Sequence, residues 1–231
     1  ETSDPIISHV TISDNIAWNG GGLFIVNSNP YMYNVNIVNN IAKLCLVYDP
    51  YDYDGECEQM FGVDGEGGGI YIAGGNPIIL NSNIINNYSD ASGGAAYIRN
   101  SEAYFSEIQF TGNSTRLGHS GSASALYIKG YNPDYTTIIE NSVIADNHTL
   151  IGTMEFRYGA DVILRNVTIK NNICELNGSI FTSEWSNNFQ GNILFDQVLI
   201  YNNISYGDCN INPGWCDENN DIIITSYNPF N

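Results

Sequence analysis

One pattern constrains this chain more than any other: an apolar residue followed three positions later by asparagine, in seven copies. These are Ile12-Ser13-Asp14-Asn15, Ile37-Val38-Asn39-Asn40, Ile84-Ile85-Asn86-Asn87, Phe110-Thr111-Gly112-Asn113, Ile144-Ala145-Asp146-Asn147, Ile169-Lys170-Asn171-Asn172 and Ile200-Tyr201-Asn202-Asn203. Their spacings are 25, 47, 26, 34, 25 and 31 residues. The floor of about 25 reads as a bare coil, and larger values as coils carrying insertions; such self-similarity marks a solenoid. Two residues past each asparagine stands a small one: Ala17, Ala42, Ser89, Thr115, Thr149, Cys174 and Ser205.

A glycine or small-residue cluster and a short strand come next, as in Gly20-Gly21-Gly22-Leu23-Phe24-Ile25, Gly67-Gly68-Gly69-Ile70-Tyr71-Ile72 and Gly93-Gly94-Ala95-Ala96-Tyr97-Ile98. Ser124-Ala125-Leu126-Tyr127-Ile128 and Gly178-Ser179-Ile180-Phe181-Thr182 are looser copies. Coils open at Asp-Pro or Asn-Pro (Asp4-Pro5, Asn29-Pro30, Asn76-Pro77, Asn132-Pro133, Asn228-Pro229), where proline fixes φ for a turn. Strands this short cannot stand as an independent sheet. Each can pair with its copy one coil away, about 4.8 Å along the rod, so that like stacks on like and asparagines form ladders. The expectation is an all-β, right-handed parallel β-helix of about seven coils, one domain over residues 1–231. A leucine-rich repeat is set aside because Ile and Val dominate and Leu is sparse.

Asn-Pro, then Ile-x-x-Asn-x-small, then Gly-Gly-Gly-Ile-Tyr-Ile resembles the parallel β-helix proteins of the pectate-lyase-like superfamily, most of all bacterial surface and secreted β-helix proteins. The resemblance covers nearly the whole chain. It is specific for fold and weak for function, because this scaffold hosts lyases, hydrolases, tailspikes and adhesins. Both ends fall inside a repeat and no amphipathic capping helix is visible at the start, so a section of a longer protein is expected.

Charge narrows the functions. Lys plus Arg is 7 and Asp plus Glu is 25, a net charge of −18. That excludes nucleic-acid binding by phosphate neutralisation and argues against attraction to anionic lipid. No apolar run reaches the roughly 18 residues of a membrane helix, so membrane insertion is not expected. Acids concentrate in two insertions, about 43–66 and 207–221. Each holds two cysteines, and Cys45–Cys57 and Cys209–Cys216 are expected as loop-closing disulfides of an oxidising, extracellular or cell-surface setting. Zinc would need four ligands, and each loop offers two thiols and no histidine. Cys174 stands in the small-residue rank and should be a buried thiol outside both bridges. Asp52-Tyr53-Asp54-Gly55-Glu56, with Asp49 or Glu58 assisting, has alternating oxygen ligands and a glycine at the turn. It could hold one structural calcium weakly; the competing reading is a solvated acidic loop.

Sequons at Asn87, Asn113, Asn147 and Asn203 are made by the repeat itself, so they carry no information on glycosylation, and these side chains should be partly buried in turns. Phe24, Tyr71, Tyr97, Tyr127 and Phe181 fall mid-strand, where period two points them outward as a stacked aromatic row. Such a row could bind neutral glycans or another surface protein, or simply stabilise the sheet. At Met154-Glu155-Phe156 the phase is ambiguous, and Phe156 could lie inside. Glu140 and Arg165 each stand seven residues before an anchor asparagine, so they should form a surface ion pair on adjacent coils. Resemblance to the superfamily also implies an alternative, a polysaccharide lyase or glycoside hydrolase. Arg99 and Lys129 follow equivalent strands and could meet an acidic sugar, although the acidic surface favours neutral glycans. The leading expectation is a non-catalytic structural, adhesive or glycan-binding segment.

Overall fold

The computed structural model describes residues 4–43, 65–116, 123–131, 135–177, 181–183 and 191–205. Among these, every regular element is a strand and the strands pair in parallel, which makes the chain an all-β parallel solenoid. Three sheets run along it. The first is a 12-stranded sheet that includes Ile6–Ser8, Tyr31–Tyr33, Ile78–Ile85, Tyr104–Thr111, Thr136–Glu140, Asp161–Arg165 and Ile193–Asp196 in that stacking order. The second has seven two- to five-residue strands, from Ile16–Ala17 to Ile204–Ser205. The third has six, in the order Leu23–Val26, Ile70–Ala73, Ala96–Arg99, Leu126–Lys129, Met154–Arg157 and Phe181–Ser183.

The anchor residues pair in one column: Ile12 with Ile37, Ile37 with Ile84, Ile84 with Phe110, Phe110 with Ile144, Ile144 with Ile169 and Ile169 with Ile200. The unequal spacings are therefore insertions into one repeat, and the register stays in phase across them. Ile37, Ile84, Phe110, Ile144 and Ile169 are wholly buried. A second inward column runs Met32, Ile79, Phe105, Ile139 and Leu164, and a third Ile72, Ile98, Ile128 and Phe156. These columns form one continuous apolar core down the rod. Each buried side chain is worth about 1.5–3 kcal/mol, but only when the rung above and the rung below are present.

The turn after each anchor needs a left-handed residue. Asp14, Asn39, Asn86, Gly112, Asp146, Asn171 and Asn202, each immediately before the ladder asparagine, have φ of 54–68°. Asn, Asp and Gly tolerate that region, which accounts for their monopoly of the position.

The ladder itself is closed. Each asparagine Nδ2 donates to the next Oδ1 along the column Asn15, Asn40, Asn87, Asn113, Asn147, Asn172 and Asn203, at 2.8–3.1 Å. The same Oδ1 accepts the backbone N–H of the preceding ladder residue, and from Asn40 onward the second Nδ2 hydrogen goes to the anchor carbonyl one rung back, as in Asn87 to Ile37 O at 2.9 Å. Asn87, Asn113 and Asn147 have no exposed surface and Asn203 has 7%. They are more deeply buried than the sequence reading holds, because a side-chain amide whose donors and acceptor are all met carries little penalty for leaving water.

The glycine triplets follow from close approach. Gly67 has φ +70°, and a Cβ on Gly68 would stand 2.4 Å from Tyr88 O and 2.5 Å from Gly94 O. The first glycine makes the turn, and the second lets neighbouring coils touch.

Candidate functional site

The outward face of the six-stranded sheet carries the aromatic row. Phe24 pairs with Tyr71, Tyr71 with Tyr97 and Tyr97 with Tyr127. Their rings stack at centroid distances of 4.9, 5.1 and 5.0 Å with interplanar angles of 11, 4 and 6°. One-rung separation and near-parallel rings make the stack. Exposure differs along it. Phe24 is 59% exposed, whereas Tyr71, Tyr97 and Tyr127 retain 9, 2 and 5%, and pack with Ala73 and Ala123. The rings point away from the core, as period two requires, yet only Phe24 offers an open face. Burial pushes the Tyr97 phenol far up, and the Glu66 carboxylate, which accepts its hydrogen bond, adds to the shift.

Phe181 leaves the row. It pairs with Met154, which stacks on Leu126 in the inward rank, so Thr182 takes the place beside Glu155. The cause is a register shift upstream. Thr149 pairs with Cys174, Ile151 with Asn177 and Met154 with Phe181, so the offset between the two coils grows from 25 to 26 to 27 residues in two steps, one on each side of the Ile151–Asn177 pair. Glu155 stands where Tyr127's next ring would be, and Phe156 lies in the core at 1% exposure. The Glu155 carboxylate is 2% exposed and is met by the Arg157 guanidinium, which in turn lies 5.4 Å over the Tyr127 ring.

Beside the ring row runs a second outward column. Arg99 pairs with Lys129, and Lys129 with Arg157. The first two were legible in the sequence; Arg157 was missed, although Phe156-Arg157 repeats the Ile98-Arg99 and Ile128-Lys129 pattern. Tyr131 and Tyr158 close the column's edge, stacked at 4.9 Å, with Arg99 and Lys129 each 5.4 Å from the Tyr131 centroid and Lys129 4.9 Å from that of Tyr158.

Other polar columns alternate in sign. Glu140 and Arg165 are paired at 3.3 Å on adjacent rungs, as expected, and Asp196 extends the column at 3.2 Å. His148 and Glu175 meet at 2.6 Å. Cys174 is fully buried as a thiol, with Gly152 N at 3.0 Å and Leu150 O at 3.4 Å. The residues expected to hold calcium, Asp49, Asp52, Asp54, Glu56 and Glu58, and the cysteines expected to pair, Cys45, Cys57, Cys209 and Cys216, lie outside the described residues. No helix among the described residues is long and apolar enough to cross a membrane.

Fold and surface define a parallel β-solenoid whose side chains are organised in columns. No family model matches this chain, and no curated protein or solved structure matches it either.

Proposed function

We propose that this chain is a non-catalytic, extracellular or cell-surface β-helix segment of the pectate-lyase-like kind, with a structural, adhesive or glycan-binding role. The observation that supports this reading is how polar side chains are stacked: seven asparagines are consumed in the internal ladder, and Glu140, Arg165 and Asp196, like His148 and Glu175, meet one rung apart, so parts of the surface are periodic columns. Such a surface presents the same chemistry at a repeat of about 4.8 Å, which suits an extended ligand or another periodic surface. The aromatic row of Phe24, Tyr71, Tyr97 and Tyr127, in which Phe24 is 59% exposed, is the apolar contact surface for a neutral glycan or a protein partner. The acidic segment with Asp52, Asp54 and Glu56 is proposed to bind calcium weakly; calorimetry at millimolar calcium on wild type and Asp54→Ala would give different heats. The test of function is a glycan panel on the whole chain, with reducing-end and unsaturated-product assays in parallel. Binding without turnover, weakened by Phe24→Ala, is the expected outcome. Turnover would replace this reading with that of a lyase or hydrolase.

A further inference from the structure

Three of the chain's seven basic residues stand in one column, on adjacent rungs, with the same sign. Nowhere else among the described residues does the solenoid stack charge this way: Glu140, Arg165 and Asp196 alternate, and His148 meets Glu175. Like charges directly opposite one another on neighbouring strands repel, so the column is a local cost to the fold. Only Arg157 has a described carboxylate, Glu155. Arg99 is exposed and Lys129 half-buried, and both lie against the Tyr131 ring, which is itself 52% exposed. The result is a strip of positive charge, edged by two stacked tyrosine faces, on a protein of net charge −18.

We propose that Arg99, Lys129 and Arg157, with Tyr131 and Tyr158, form a binding strip for an anionic polysaccharide. This deepens the glycan-binding reading at a place separate from Phe24. The strip asks for a ligand with negative groups about one rung apart, near 4.8 Å, and with apolar surface to pack against the exposed part of Tyr131. A sugar chain bearing carboxylates or sulfates supplies both. Duplex DNA does not: its charge is denser, at one per about 1.7 Å, and the surrounding acids repel it. Guanidinium and ammonium donors accept either carboxylate or sulfate, so the two sources are separated by experiment.

The probes are dextran, carboxymethyl-dextran and dextran sulfate, which share a backbone, and duplex DNA, each titrated against the full chain at low and moderate salt. We expect one or both charged dextrans to bind and plain dextran not to bind at this strip. The Arg99→Gln/Lys129→Gln double variant should weaken charged binding by about tenfold or more and flatten its salt dependence. Tyr131→Ala should weaken it without changing that dependence. Lys43→Gln/Lys170→Gln, which removes the same charge elsewhere, should bind as wild type does. The side chains replaced are at the surface, and unchanged thermal melting would show that the fold is kept. No binding of either charged dextran overturns the proposal, as do equal binding by the strip variant, equal loss in the control variant, or tighter binding of DNA. Plain dextran binding as tightly as the charged dextrans, and equally to the strip variant, overturns the proposal and leaves the neutral-glycan reading standing.

Discussion

Removing the Asn113 side chain tests the ladder at its centre. Its Oδ1 accepts from Asn87 N at 3.0 Å and Asn87 Nδ2 at 3.1 Å, and its Nδ2 donates to Ile84 O at 2.9 Å and Asn147 Oδ1 at 3.1 Å. Alanine deletes these four bonds, along with a longer contact from Nδ2 to Thr111 O at 3.3 Å. At about 1 kcal/mol net for each, the loss is about 4 kcal/mol. The Asn87 backbone N–H, buried and deprived of its acceptor, adds about 1–2 kcal/mol more. Asn113→Ala should therefore cost about 5–6 kcal/mol, much of the stability of an ordinary domain. Asn15 heads the same ladder, is exposed, and loses only its side-chain bond to Asn40. Asn15→Ala should cost about 1 kcal/mol or less. Denaturant unfolding of both variants gives the comparison. Costs equal to within about 1 kcal/mol would refute the claim that the burial and closure of the ladder, and not asparagine's turn preference alone, select the residue.

Gly68→Ala places a Cβ against two backbone carbonyls and should destabilise by about 3 kcal/mol or more, read from the shift in unfolding midpoint. Cys174 should resist maleimide in the native protein and react in denaturant, by peptide mass spectrometry, while Cys174→Ser, which copies Ser89 and Ser205 in its rank, keeps the fold. Burial and the Asp90 hydrogen bond push the Tyr88 phenol from 10.0 up to about 12, and Tyr97 and Tyr104 are also raised, Tyr104 first through its bond to Glu140. The fold favours the neutral phenols, so their contribution is intact below the unfolded value of 10.0 and is lost as pH rises through the Tyr88 value of about 12. A denaturation midpoint that stays flat across that range would contradict it. Arg165→Ala should cost below about 1 kcal/mol, and less at high salt, because its pairs with Glu140 and Asp196 are exposed.

What the sequence disclosed was whatever repeats locally. The anchor column needed only the Ile-x-x-Asn spacing, and the Glu140–Arg165 pair followed from counting back from two anchors. The fate of Cys174 followed from its rank. What it hid depends on contacts outside one coil. Tyr71, Tyr97 and Tyr127 point outward by alternation, but whether an outward face meets water is decided by what packs over it, and alternation is silent on that. Phe181 was misplaced because the offset between its coil and the one before grows by two residues from the Thr149–Cys174 pair to the Met154–Phe181 pair, and nothing in the repeat pattern there marks the change. Arg157 escaped notice because Glu155 breaks the aromatic rank that would have set the phase of Met154–Arg157. The left-handed column from Asp14 to Asn202 was readable in the monopoly of Asn, Asp and Gly before each anchor asparagine.

The central claim is that seven asparagines separated by 25 to 47 residues form one continuous hydrogen-bonded column. Solution NMR on asparagine-labelled protein measures this directly, through contacts between side-chain amide protons. An unbroken chain of contacts is expected from Asn15 through Asn40, Asn87, Asn113, Asn147 and Asn172 to Asn203, with slow hydrogen exchange at the buried members. Rapidly exchanging side-chain amides, or contacts that skip Asn87 or Asn113, would contradict it.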